Sequence, residues 1–119
     1  MKRILVVDDE LPVLELMRRS LAAAGYRITA TSNAVAALNG FDSEPFHLVV
    51  TDFRMPQMNG REVIDALRSL RPGLKTIVVS GAPPESGNDH AWWTQEVSLT
   101  KPFSPNDLKN LVERLIGPP

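Results

Sequence analysis

The chain has 119 residues, 43% of them hydrophobic, and 13 Lys and Arg stand against 14 Asp and Glu for a net charge of -1. That length suits one domain, with a core large enough to need no staples. The absence of cysteine excludes disulfides and thiolate metal sites; no basic run marks a nucleic-acid stripe, and no segment nears the ~20 apolar residues of a membrane helix.

Ile4-Leu5-Val6-Val7 runs into Asp8-Asp9 and reads as a first strand. Met1-Lys2-Arg3 ahead of it superficially resembles a signal peptide, but the apolar stretch stops at Asp8, short of the ~7–15 residues an h-region needs. Next, Leu14, Met17, Leu21 and Ala24 share one helical face, with Pro12 suited to the first turn and Gly25 to the stop. Arg27 to Thr31 reads as a short second strand. Ser32 or Asn33 can cap a second helix with Ala34, Leu38 and Phe41 on one side, weakened by Gly40. Leu48-Val49-Val50-Thr51 runs into Asp52 as the third strand. Asn59-Gly60 opens a third helix along Val63, Ile64, Leu67 and Leu70, and Pro72-Gly73 stops it. Thr76-Ile77-Val78-Val79 runs into Ser80. From Gly81 to Glu96 turn formers dominate, and only a short fourth helix fits, around Asp89 to Gln95. Val97-Ser98-Leu99-Thr100 runs into Lys101. The last helix carries the clearest signals: Ser104 as N-cap, Pro105 in the first turn, Asp107 near the dipole, and a stripe of Leu108, Leu111, Val112 and Leu115.

Strand–helix alternation predicts a parallel sheet covered on both faces. All its strands point one way, so Asp8-Asp9, Asp52, Ser80 and Lys101 gather along the edge where open α/β sheets bind ligands. Singly, each residue has an ordinary explanation: a turn, a cap, a solvated lysine. Jointly, at four strand ends, they are specific. Three carboxylates about 5 Å apart repel by about 3 kcal/mol per pair at an effective dielectric near 20, and packing alone does not justify placing them together. A divalent cation relieves the repulsion, and oxygen-only ligation favours Mg²⁺. Without metal, at least one acid has a raised pKa. A carboxylate beside Mg²⁺ can attack a phosphoryl group, whose equatorial oxygens an ammonium and a hydroxyl then stabilise. Asp52, alone on the central strand, is the best nucleophile; Asp8 and Asp9 are better placed to hold metal.

Four strings carry a family resemblance across essentially the whole chain: Val6-Val7-Asp8-Asp9-Glu10, Thr51-Asp52-Phe53-Arg54-Met55-Pro56-Gln57-Met58-Asn59-Gly60, Val79-Ser80-Gly81 and Thr100-Lys101-Pro102-Phe103. Through them the chain resembles the receiver domains of two-component response regulators. The resemblance implies a flavodoxin-like, doubly wound, five-stranded parallel sheet in the order 2-1-3-4-5. It implies one receiver domain over residues 1–119, with 117–119 a tail or the start of a linker. Asp52 would accept a phosphoryl group from a histidine kinase or phosphotransfer protein. Asp9, Asp52 and the Arg54 backbone carbonyl would ligate Mg²⁺, with Asp8 acting mainly through water. Ser80 would hydrogen-bond the phosphoryl group and Lys101 would pair with it, the Lys101-Pro102 bond being cis. The Arg54 side chain would influence the lifetime of the acyl phosphate.

The chain departs from the family pattern near its end. Ser98 stands where many members carry Tyr or Phe, and Pro83-Pro84 and Trp92-Trp93 make the fourth helical segment unusual. One Trp is expected in the core with the other covering the short helix; an exposed aromatic anchor is the sharper alternative. His47 and His90 have no metal-ligand spacing. The expected function is a cytoplasmic, phosphorylation-controlled switch, monomeric or weakly dimeric, acting on an unknown downstream protein and catalytic only toward its own Asp52. A receiver that works without phosphorylation, or a receiver module of a hybrid histidine kinase, is the alternative. A phosphatase using Asp52 is disfavoured because Arg54 occupies the place where such enzymes need a second acid.

Overall fold

The β-branched runs have no polar face to offer solvent, so they form strands buried on both sides. The computed structural model describes Met1–Pro119. The chain passes through β1 (Arg3–Val7), α1 (Leu11–Ala23), β2 (Arg27–Thr31), α2 (Ala34–Gly40), a 3-10 turn (Phe41–Ser43), β3 (Leu48–Asp52), α3 (Gly60–Leu70), β4 (Lys75–Ser80), α4 (Gly87–Gln95), β5 (Ser98–Thr100) and α5 (Pro105–Ile116). The five strands are parallel in the order β2-β1-β3-β4-β5, the flavodoxin-like order that the family resemblance implies.

Period-2 alternation along the central strands sorts their side chains into two layers. Ile4, Val6, Leu48, Val50, Ile77 and Val79 pack against Leu14, Met17 and Leu21 of α1 and Leu108 and Val112 of α5. Leu5, Val7 and Val49 face the other way, onto Ala34 and Ala37 of α2 and Val63 and Leu67 of α3. A smaller group, Phe53, Ile64 and Val78, sits beneath Trp92 and Trp93.

Three expected stripes need correction. Gly40 ends α2 and the chain tightens into the 3-10 turn, so Phe41 reaches the core from there while Leu38 is only partly buried. Leu70, expected on the buried face of α3, is 54% exposed. Arg71 closes that end instead: its guanidinium lies 4.5 Å over the Phe41 ring and donates to the Phe46 carbonyl. On α5, Leu111 and Leu115 are only partly buried. The fourth helix begins two residues before the expected Asp89 and buries none of its residues completely.

Capping follows the sequence signals. Asn59 and Glu62 close a reciprocal capping box on α3, and Ser104 and Asp107 do the same on α5. Gly60 matters for another reason. Its N–H donates to the Phe53 carbonyl at 2.7 Å, and a Cβ there would lie 2.7 Å from the Asp52 carbonyl oxygen and 2.9 Å from the Phe53 Cα. The start of α3 is thus pressed against the backbone that carries Asp52. Gly60→Ala is expected to cost about 1–3 kcal/mol, since backbone rather than a flexible side chain must move. Chemical denaturation measures the loss, and backbone NMR shifts should place the disturbance at Asp52 and Phe53.

Candidate functional site

β1, β3 and β4 end at neighbouring points of one sheet edge, and the loop after β5 brings Lys101 to the same place. Asp8 is fully buried, Asp52 nearly so, and Ser80 is buried beside them. The Lys101 ammonium lies 3.0 Å from Asp8 Oδ2, 3.0 Å from Glu10 Oε1 and 3.4 Å from Asp52 Oδ1. The Lys101–Pro102 peptide is cis, as the family resemblance implies. Ser80 Oγ accepts from the Ala82 N–H at 3.0 Å, which leaves its O–H free to donate.

Asp8, Asp52, Ser80 and Lys101 therefore meet as the strand ends require. Asp9 lies at the side of this group. It lines an open cleft with Phe53, Arg54, Met55, Pro56, Asn59 and Asp89, and its negative charge still acts on Asp52. The tightest carboxylate trio is instead Asp8, Glu10 and Asp52, with one oxygen from each within 4.8 Å of the others. In the sequence Glu10 stands out only as the last residue of the Val6–Glu10 string. Its position directly after the acidic doublet, at the entrance of α1, was the available signal.

The Arg54 side chain is held. Its Nε donates to the Ala82 carbonyl at 2.8 Å, and the guanidinium lies 5.3 Å from the Phe53 ring centroid. It thereby ties the loop after β3 to the loop after β4. Both tryptophans rest on Phe53, with ring centroids at 6.0 and 6.1 Å, and each is half-buried. Neither the core-plus-cover arrangement nor a free aromatic anchor describes them. His47 Nδ1 accepts from the Arg3 N–H, and His90 Nδ1 donates to the Pro84 carbonyl.

Burial is the largest influence on the acids. It lifts the Asp52 carboxyl to about 6, with the charges of Asp8 and Asp9 pushing the same way and Lys101 opposing. Burial also raises Asp8, against the Glu10 N–H and Lys101 that stabilise its anion. For Lys101, burial favours the neutral amine, yet its contacts with Asp8 and Glu10 prevail and leave its pKa above the ordinary value. Asp9 Oδ1 is buried without a hydrogen-bond partner, and Asp8 Oδ2 has only the ion pair with Lys101. An orphaned carboxylate oxygen of Asp9 beside a crowded acidic trio fits a hard, oxygen-seeking divalent cation.

A doubly wound parallel sheet with buried acids and a lysine at its C-terminal edge defines a receiver-type signalling module. The chain belongs to the response regulator receiver domain family, whose model matches residues 4–113. It is 32% identical to the response regulator receiver protein CpdR of Brucella abortus, over 98% of both chains. It is 35% identical to the sensor histidine kinase GacS of Pseudomonas protegens, covering 97% of this chain but 13% of that protein. Among solved structures, the response regulator TrrA of Thermotoga maritima, in complex with Mg²⁺-BeF, superposes with a TM-score of 0.84 at 35% identity, over 97% of this chain and 99% of that one. The chain is thus a receiver domain, and its pocket of Asp8, Glu10 and Asp52 fits a phospho-aspartate site. No helix is long and apolar enough to cross a membrane.

The raised Asp52 value has a consequence for stability. Folding strengthens proton binding at Asp52, so ionising it costs stability above about pH 6, and the cost vanishes as pH falls below the unfolded value of 3.8. At 1.36 kcal/mol per pKa unit the cost is at most about 3 kcal/mol. Asp52→Asn should therefore stabilise the metal-free protein by about 1–3 kcal/mol at pH 7.5. Thermal unfolding across pH should show that advantage shrinking below pH 6; an advantage independent of pH would mean that the buried charge is not its source.

Proposed function

We propose that Asp52 is the phosphoryl acceptor and that the domain is a Mg²⁺-dependent switch. The observation that carries this reading is the convergence of buried Asp52, Asp8, Ser80 and Lys101 at one sheet edge. The donor is a phosphohistidine on a histidine kinase or phosphotransfer protein. An Asp52 carboxylate oxygen attacks phosphorus, the P–N bond to the donor imidazole breaks, and the imidazole keeps the electron pair. The product on this chain is an aspartyl phosphate. Lys101 and the Ser80 O–H neutralise the transferred oxygens. Asp8, Asp9, Asp52 and the Arg54 carbonyl are the groups that would hold Mg²⁺. When bound, the ion supplies positive charge that cancels the repulsion among the acids and the incoming phosphoryl group.

The response of the domain centres on α4. That helix buries none of its residues, and two ion pairs tether it to α3: Arg61–Asp89 at 3.2 Å and Arg68–Glu96 at 2.7 Å. Its apolar hold is the packing of Trp92 and Trp93 on Phe53, Ile64 and Val78, with one indole tilted and the other edge-on to Phe53, the residue next to the acceptor. A change at Asp52 thus reaches the least anchored helix through Phe53, the adjacent residue, on which both indoles rest. Coupling of ~1–3 kcal/mol is enough to alter partner binding. The chemistry is directed at the domain's own aspartate, including hydrolysis of the phosphate. Arg54, committed to Ala82 and Phe53, supports this over turnover of an external phosphoester. The GacS-like match supports an alternative setting as the receiver module of a sensor kinase.

Titration with beryllofluoride in excess Mg²⁺ tests the reading. Tryptophan fluorescence should change saturably in the wild type, and neither the change nor labelling by a small phosphodonor should occur in Asp52→Asn. Labelling that persists in the variant would falsify Asp52 as acceptor.

A further inference from the structure

Glu10 occupies the N-cap position of α1, where short polar side chains usually accept from the first turn. Its side chain makes no such bond. Oε1 reaches instead across the sheet edge to Lys101 Nζ at 3.0 Å, while the Glu10 backbone N–H donates to Asp8 Oδ1 at 2.9 Å. The ammonium thus has three carboxylate neighbours, with Asp52 the most distant at 3.4 Å.

These neighbours differ in what it takes to lose them. Asp8 is fully buried and Asp52 4% exposed, whereas the Glu10 side chain is 60% exposed. A buried anion deprived of its cation stays desolvated, but an exposed one is taken up by water. Exposed ion pairs accordingly contribute little and exchange readily. A phosphoryl group on Asp52 adds oxygens that need the same ammonium. Of the three partners, Glu10 is the one that can be released.

We propose that Glu10 is a positioning residue: it holds Lys101 in the resting state and competes with the phosphoryl oxygens for its ammonium. Through that competition it limits how readily Asp52 is occupied and how long it stays so. The inference rests on the reading of Asp52 as acceptor. It also separates Glu10 from the metal. Although Glu10 belongs to the tight carboxylate trio, its oxygen is already engaged by Lys101, on the side where Gly81, Pro102 and Phe103 line a groove.

Glu10→Ala tests this, with Glu10→Gln as a second variant in case the first perturbs α1. Beryllofluoride affinity is measured at saturating Mg²⁺, and the exchange rate of the Lys101 ammonium protons is measured by NMR in ligand-free protein. In Glu10→Ala, beryllofluoride should bind about two- to fivefold tighter, and the ammonium protons should exchange faster. The Mg²⁺ affinity measured alone should stay within about twofold. Glu10→Gln, which keeps the reach but loses the charge, should fall between wild type and Glu10→Ala on both readouts. Unchanged beryllofluoride affinity in a folded variant overturns the proposal, as does unchanged ammonium exchange. A tenfold or greater loss of Mg²⁺ affinity overturns it too, by making Glu10 a metal ligand. Failure of the wild type to bind beryllofluoride would instead remove the acceptor reading on which the proposal stands.

Discussion

Two buried carboxylates, Asp8 and Asp52, share one ammonium at the end of the sheet. A fold that needed only stability would not keep this arrangement, because burying like charges with a single counter-ion costs more than an apolar edge. Here the cost is localised. Asp8 has the closer contact with Lys101 and a backbone N–H from Glu10, while Asp52 has the longer contact and a pKa lifted to about 6. The less well stabilised anion is the one on the central strand. Positive charge placed at that point would lower the energy of the whole site, which is why the cluster fits the cation and phosphoryl group of the proposed function.

The rest of the architecture supports or transmits that imbalance. Central strands buried on both faces make β1, β3 and β4 rigid mounts for Asp8, Asp52 and Ser80. Gly60 lets α3 close against the Asp52–Phe53 backbone. The elements nearest β5 are less firmly held. That strand has only three residues, and α4 is held by two ion pairs and by the packing of its two tryptophans on Phe53, Ile64 and Val78. The charges on both sides of the α3–α4 pairing are spaced seven residues apart, Arg61 and Arg68 facing Asp89 and Glu96. Arg61 and Arg68 lie about two turns apart on α3, and Asp89 in the first turn of α4 and Glu96 at its C-cap meet them in the same order. The firmly packed half of the domain thus carries the acidic cluster, and the half around α4 and β5 is held by fewer buried contacts.

Where the chain departs from its family, its own residues offer a physical substitute. Ser98 has no ring to turn inward, but two tryptophans already lie on Phe53, directly beside Asp52. Arg54, two residues after Asp52, bridges two loops while remaining exposed. The indoles lean on the Phe53 ring and Arg54 on the Ala82 carbonyl, both close in the chain to the acidic cluster or Ser80. They can therefore alter its behaviour without belonging to it.

The fold and most of the site were legible in the sequence because they follow from local signals. β-branched runs, capping residues and turn formers act over a few positions, and parallel topology converts strand ends into neighbours. This was enough to bring Asp8, Asp52, Ser80 and Lys101 together on paper. Side-chain reach over long sequence separations was not legible. Nothing local indicates that Glu10 crosses to Lys101, that Arg71 covers the end of a layer expected for Leu70, or that Arg54 selects the Ala82 carbonyl. Long flexible side chains choose among partners that exist only after the backbone has closed, and small differences in burial decide the choice. The sequence by itself determined which chemical groups stand at the edge of the sheet. Tertiary packing decided how they divide one ammonium among three carboxylates, because burial and distance, which set each group's share, are properties of the assembled layers.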